Sequence, residues 1–321
     1  MFDRIAVIGG GTMGAGIAEV AARTGAQVPV HEIAPERADA CQQRITASLE
    51  RAAQKGKLDV EDAQAAQARL SYTTELADLA DAQLVIEAIV EDEQAKTEVI
   101  TKLDGIIEDE QAIFASNTSS IPIMKLAMAA SRRDRVVGLH FFNPVPVLNL
   151  IEVVPSLLTS DDTVQQVTDF AETALGKHVI RSQDRAGFIV NALLIPYILS
   201  AIRMLESGFA TAEDIDTGMV QGAAHLMGLL ALADLIGLDT TQAVALSLYE
   251  EFKEPLFAPP PLLARMVDAG LLGRKTCRAA SSTTTAPGPT RGAVRSRPRC
   301  SAGPATGRSI VRHAQHPDQD W

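Results

Sequence analysis

The 321-residue sequence predicts an α/β fold: a doubly wound, mostly parallel sheet followed by an all-α C-terminal domain. Three observations carry this. Short β-branched runs alternate with helical patterns over roughly the first 180 residues. A glycine-rich turn joins the first strand to the first helix. From Gly187 onward the apolar period becomes purely helical.

The first run, "RIAVI" (4–8), ends in "GGGTMG" and passes into the alanine-rich "AGIAEVAARTG", which closes on Gly25 as a helix C-cap. "QVPVHEI" then reads as a second strand ending in an acid. Pro29 in its middle removes a ladder donor, so either the strand is irregular there or no partner needs that N–H. Further strands are expected at "LVIEAIV" (84–90), "AIFAS" (112–116), "RVVGLHF" (135–141), "LIEVV" (150–154) and "HVIRS" (178–182). Beyond "SQDRAG", the stretches "FIVNALLIPYILSAIRMLESG", "TTQAVALSLYEEF" and "PLLARMVDAGLL" carry the helical period. The expected division is a sheet domain at 1–183, a helical domain at 184–275 and a disordered tail at 276–321. That tail is rich in Arg, Pro, Ser, Ala and Gly and lacks the apolar residues to order itself.

A hydrophobic content of 46% is ample for two cores, and a formal charge of −11 excludes general affinity for nucleic acid or an anionic membrane. Cys41, Cys277 and Cys300 are far apart, without metal-type spacing or a disulfide framework, which suits a reducing cytoplasm. No metal site is expected. There is no signal-peptide pattern, and the longest apolar run, "GLLALADLIGL", is short and contains Asp234. A soluble, cytoplasmic protein is expected.

Gly9-x-Gly11-x-x-Gly14 lies between a strand and a helix, as the dinucleotide fingerprint of a Rossmann-type domain requires. Gly9 permits the tight turn, Gly11 lets backbone approach a pyrophosphate, and Gly14 allows close helix–strand packing. Glu32 falls at the end of the next strand, where an acid binds the adenine-ribose 2′-hydroxyl and repels a 2′-phosphate. NAD is therefore favoured over NADP.

The stretch "VVGLHFFNPVPVLNLIEVV" (136–154) places His140 and Glu152 inside runs that otherwise read as core. Pro144 and Pro146 break the strand between them, so the chain can turn and bring Glu152 back beside His140. Taken alone, the two are equally a buried structural pair or a base with its partner.

Six motifs in order, "VIGGGTMGAGIAEVAA", "VIEAIVEDEQAK", "SNTSSIPI", "GLHFFNPVPVLNLIEVV", "GFIVNALL" and "ADLIGLD", resemble the L-3-hydroxyacyl-CoA dehydrogenases, nearest to the bacterial 3-hydroxybutyryl-CoA type. The similarity runs from residue 2 to about Lys275. It implies a homodimeric enzyme of fatty-acid metabolism that uses NAD to oxidise an acyl-CoA substrate at C3. It also implies roles for particular residues. His140 would be the general base and Glu152 its partner, with Ser119 at the substrate hydroxyl and Asn191 at the reacting centre. Gly9, Gly11, Thr12, Met13, Gly14, Glu32, Ala88, Glu91, Lys96, Asn117, Asn143 and Lys275 would contact the cofactor. Ser48 and Lys55, with Ser119, would touch the CoA-bearing substrate.

Read without the family, Ser119 is a fair helix N-cap before "IPIMKLA", Asn191 a polar residue on a helix face, and Glu91 with Lys96 a solvated helix start. A related group with similar architecture acts on free hydroxy acids through a lysine of its helical domain, and "GFIVNALL" offers none. Departures from the family pattern are Leu226 and Leu229 where prolines flank the Met-Gly pair, Ala192 for an arginine, and Ala186 for a proline. The leucines are expected to loosen the helical domain, and His225 beside them reads as structural.

After "GLLGRK" the family continues with a Gly-Arg-Gly-Phe-Tyr-like segment, whereas this chain reads "TCRAASSTTTAPGPT". One GC-rich back-translation of "CRAASSTT", TGC CGC GCG GCT TCT TCG ACT ACT, read from its third base gives Pro-Arg-Gly-Phe-Phe-Asp-Tyr. The expectation is that residues from about 276 are a frameshifted read. On that reading the tail's arginines signify no nucleic-acid arm, and loss of the aromatic segment weakens the fold or the dimer, leaving an impaired or non-catalytic homologue as the alternative. Resequencing the coding DNA is expected to show a shifted frame there; an unshifted frame through Thr-Cys-Arg-Ala would refute it.

Overall fold

The structure, a computed structural model, describes residues 2–273. Lys275 and the tail at 276–321 lie outside the described residues. Eight strands form one sheet: β1 (Ile5–Ile8), β2 (Val28–His31), β3 (Leu70–Thr73), β4 (Leu84–Glu87), β5 (Ile113–Ser116), β6 (Val136–Phe141), β7 (Leu150–Pro155) and β8 (His178–Arg181). Their order is β3-β2-β1-β4-β5-β6-β7-β8, and every neighbouring pair is parallel except the antiparallel β6–β7. This is the doubly wound α/β architecture, with the strand order reversing between β1 and β4.

The inner strands are continuous apolar runs because both faces of the sheet are covered. Ile5 and Val7 of β1 point into a core shared with Val28, Val30, Cys41, Ile45 and Leu49. Ala6 and Ile8 point the other way, with Val85, Phe114, Ile123 and Val136. The first core is closed by α1 (Thr12–Arg23), α2 (Pro35–Gln54) and α3 (Val60–Ala68), the second by α4 (Glu93–Asp104) and α5 (Ile123–Ala127). Helix α6 (Asp161–Asp169) returns to the first side, bringing Val164 and Val167. Pro29 sits in a regular strand after all: Val28 and Glu32 donate to the β3 side, so by alternation the proline nitrogen faces β1 at the cost of one donor.

The helical segment comprises α7 (Val190–Glu206), α8 (Ala212–Thr217), α9 (Leu229–Ile236), α10 (Leu238–Phe252) and α11 (Pro261–Asp268). They share a separate core in which Ile198, Leu199, Leu230, Val244 and Leu248 are buried. Leu229 belongs to that core, whereas Leu226 is fully exposed. Among the described residues no single helix is long and apolar enough to cross a membrane, and the apolar pair α9–α10 is broken by a 96° bend.

The β6–β7 connection at 142–149 is held from outside itself. Lys177, immediately before β8, is 6% exposed and donates its ammonium hydrogens to Val145 O (2.8 Å) and Leu148 O (2.7 Å). Burial pushes its pKa down, and the Arg23 charge adds to that. Val145 also packs on Gly16 of α1, where any Cβ would fall 2.9 Å from it. The Lys177→Met variant leaves two carbonyls without their shared donor. It is expected to unfold with about 1–3 kcal/mol less stability, read from the urea midpoint at unchanged m; an unchanged midpoint would show that the connection holds itself.

Candidate active site

In the parallel part of the sheet all carboxyl ends lie along one edge, and the sequence places most of its polar candidates there. After β1 comes the glycine turn. Gly9 has φ +91°, and a Cβ on it would lie 2.8 Å from Ala88 O. A Cβ on Gly14 would lie 1.7 Å from Gly9 O, so α1 can approach the turn only with glycine there. Gly11, by contrast, meets nothing within 4 Å, and it precedes α1 without a side-chain cap. A close-packed turn with one open glycine at a bare helix N-terminus fits a dinucleotide pyrophosphate, with Thr12 and Met13 on the first turn beside it. Glu32, after β2, turns its carboxylate to this loop and accepts from Gly10 N at 2.7 Å. These residues fit NAD.

After β4 and β5 lies a buried charge cluster. Lys96, which is 0% exposed, donates to Glu87 Oε1 at 2.6 Å and lies 3.3 Å from Glu91 Oε2. Glu91 Oε1 accepts from Thr118 Oγ1 (2.6 Å), Ser119 N (2.8 Å), Ser120 N (2.9 Å) and Ser120 Oγ (2.8 Å). Burial pushes the Glu91 carboxyl up, but Lys96 and these hydrogen bonds together outweigh it and hold the pKa below the ordinary value. Glu91 and Lys96 are thus no solvated helix start, because Asp92 caps α4 and Lys96 points inward. Asn117 ties β5 to the neighbouring strand by accepting from Phe141 N at 2.9 Å.

His140 and Glu152 are direct cross-strand partners in the β6–β7 register. His140 Nδ1 lies 2.7 Å from Glu152 Oε2, with the side chains 7% and 0% exposed. A carboxylate only accepts, so Nδ1 carries a hydrogen toward it, and in the neutral tautomer this selects, Nε2 keeps its lone pair. The second carboxylate oxygen, Oε1, accepts from Ile189 N and Val190 N, both at 3.0 Å, at the start of α7. Asn191 is the next residue along, on the first turn of that helix. Asn143 is exposed in the β6–β7 connection, joined to Pro144 by a cis peptide bond.

Ser119 does not cap α5. That helix begins after Pro122, and its first N–H groups, Ile123 N and Met124 N, donate to the Asp184 carboxylate at 2.7 Å each. Ser48 and Lys55 lie on or just after α2; Ser48 is near enough to the buried Glu19 of α1 to oppose the rise that burial gives its pKa, and Lys55 is exposed at the C-terminal cap. The His225 imidazole meets the Tyr197 ring edge-on, with centroids 5.7 Å apart. Among the described residues no group of three or more His, Cys, Asp or Glu could hold a metal.

The sequence reading passed over Glu87, Asp184 and Lys177. Glu87 had a usable signal, an acid inside the apolar run "LVIEAIV". Asp184 and Lys177 had none, since both sit in polar stretches.

Comparison with known proteins gives a consistent result. Residues 4–185 match the NAD-binding domain of 3-hydroxyacyl-CoA dehydrogenase, and residues 187–281 match its C-terminal domain. A 3-hydroxybutyryl-CoA dehydrogenase of Mycobacterium tuberculosis is 54% identical over 276 residues, covering 86% of this chain and 96% of that one. The crystal structure of M. tuberculosis FadB2 superposes with a TM-score of 0.85 at 54% identity, over 87% of this chain and 98% of that one. That of the (S)-3-hydroxybutyryl-CoA dehydrogenase PaaH1 of Ralstonia eutropha does so with 0.81 at 43% identity, over 87% and 98%. With its glycine turn, strand-end acids and two-domain match, the chain belongs to the 3-hydroxyacyl-CoA dehydrogenase family.

Proposed function

We propose that this chain catalyses the reversible, NAD-dependent oxidation of a short-chain L-3-hydroxyacyl-CoA, 3-hydroxybutyryl-CoA foremost, to the 3-oxoacyl-CoA. The observation that carries the reading is the buried His140–Glu152 pair at the sheet edge that also bears the glycine turn. Bound NAD supplies the hydride acceptor. His140 Nε2, the free nitrogen, takes the proton of the substrate 3-hydroxyl as the C3 hydrogen leaves with its electron pair. Glu152 fixes the tautomer before the step and stabilises the imidazolium after it. Backbone N–H groups hold its other oxygen, so no carboxylate oxygen is left unpartnered in the buried site.

The remaining residues bind and orient. Gly9, Gly11, Thr12, Met13, Gly14 and Ala88 form the pyrophosphate turn, and Glu32 serves the adenine ribose. Glu91 and Lys96 act chiefly by building the 117–120 loop, which presents Asn117 toward the cofactor and Ser119 toward the substrate hydroxyl. Asn143 flanks the nicotinamide side, and Asn191 the acyl oxygens. Ser48 and Lys55 offer a hydroxyl and an ammonium to the CoA portion. Lys275, outside the described residues, completes the cofactor set.

A homodimer is part of the same reading. Leu193, Tyr197 and Met204 lie at helical spacing on α7 and are 73%, 39% and 40% exposed, with Phe209 beyond them at 78%. Tyr197 and Met204 line an apolar groove of about 320 Å³ shared with Met219 and Leu229. An apolar face of this kind on a helical bundle suits burial against a second copy. The cytoplasm suits the substrate and the sequence. The sheet domain, 1–183, would bind NAD, and the helical domain, 184–275, would cover the substrate and dimerise.

Two measurements test this. NADH oxidation followed at 340 nm with acetoacetyl-CoA should be fast in the parent and fall at least 1000-fold, by about the combined weight of general-base and orientation effects, in His140→Gln. Parent protein that binds NADH but turns nothing over would instead favour the impaired reading. In sedimentation equilibrium the 34.2 kDa chain is expected at twice its mass, and Met204→Asp at the monomer mass; a monomeric parent would end the dimer proposal.

A further inference from the structure

Three non-glycine residues among those described have positive φ: Phe188 (50°), Ala224 (55°) and Lys253 (56°). Lys253 is an ordinary left-handed cap of α10. Phe188 is different, because it lies in the linker ahead of α7, directly after Gly187 at φ +74°. A bulky residue keeps such a backbone only where its surroundings over-determine it, so the position asks what the turn delivers.

Three hydrogen bonds and one close approach fix the turn. Phe188 N donates to Arg185 O (3.0 Å), Ala192 N to Gly187 O (3.0 Å), and Ala186 N to Glu251 Oε2 (2.8 Å). On Gly187 a Cβ would fall 2.9 Å from Ala192 N. The Phe188 ring thereby leaves the helical segment's core and joins the sheet core that also holds Ile123 and Val154, with 7% exposure. There its ring packs edge-on against the His140 imidazole, with centroids 5.4 Å apart and planes at 62°. Phe142 makes the matching contact at 4.7 Å and 62°. The two residues after Phe188 give their N–H groups to Glu152. One short segment thus touches the base through a ring and its partner through backbone donors.

We infer that Phe188 is a positioning residue: its ring, delivered by the left-handed turn, holds the His140 imidazole in the plane where Nδ1 meets Glu152 and Nε2 remains free. This rests on His140 being the base of the proposed reaction. The competing account is that only the backbone turn matters and the ring fills space.

Glycine separates the two, because Phe188→Gly keeps and eases the positive φ while removing the ring. The positioning role expects kcat to fall on the order of 10-fold to 100-fold, with the KM for acetoacetyl-CoA and NADH binding little changed. Parental kcat in that variant, or a raised KM with kcat intact, would overturn it. A second readout needs no turnover: the downfield proton resonance of the His140 Nδ1–H, identified by its loss in His140→Gln. It should be present in the parent and broadened or absent in Phe188→Gly; an unchanged signal refutes the inference even if the proposed reaction itself fails. Should the glycine variant not fold, Phe188→Leu keeps apolar volume without the flat ring and is read by the same signal and the same kcat-against-KM criterion.

Discussion

The arrangement depends on how one carboxylate is divided. Glu152 is wholly buried, and a buried charge persists only if its oxygens are fully occupied. One oxygen takes the His140 imidazole across the β6–β7 ladder, the other takes two backbone donors from the first turn of the helical segment. Because α7 begins there, its exposed N–H groups are available to an anion, and the positive end of the helix favours it. The base, its partner and the seam between sheet and helices are therefore one electrostatic unit.

Other contacts across that seam follow the same economy. Asp184 holds the first N–H groups of α5, Glu251 holds Ala186 N, and Ser247 donates to Ser120 O at 2.6 Å. Burial pushes the Asp184 carboxyl up, against the pull of its two donors. These residues are not near-neighbours in sequence, yet they converge on the 119–124 loop and the 184–190 linker. The serine-rich loop that Glu91 shapes from below is thus gripped from the helical side as well.

Much of this was legible in the sequence because it rests on patterns of adjacent residues. Apolar runs announced seven of the strands, and the glycine spacing announced the turn. His140, Glu152 and Glu87 stand out because ionisable groups interrupt such runs. Leu70–Thr73 went unread because an edge strand this short and half-exposed carries no continuous apolar signal. Lys96 and Lys177 look like surface lysines in sequence, since their burial arises only when distant carboxylates and carbonyls fold around them. The capping of α5 was misread for the same reason: a nearby serine was visible, while the true acceptor, Asp184, lies 61 residues from Ile123. Nor does residue type disclose that Phe188 is left-handed.

The antiparallel β6–β7 pairing sets what kinds of genetic change this chain tolerates. Side chains alternate faces along a strand, so one residue inserted or deleted between β7's first residue and Glu152 would turn that carboxylate toward the opposite side of the sheet. Length changes at 147–149, past Asn143 and the Val145 contact with α1, leave the alternation of both strands untouched and strain the loop that Lys177 secures. Descent with variation should thus accumulate indels in the connection and almost none in the few positions just beyond it.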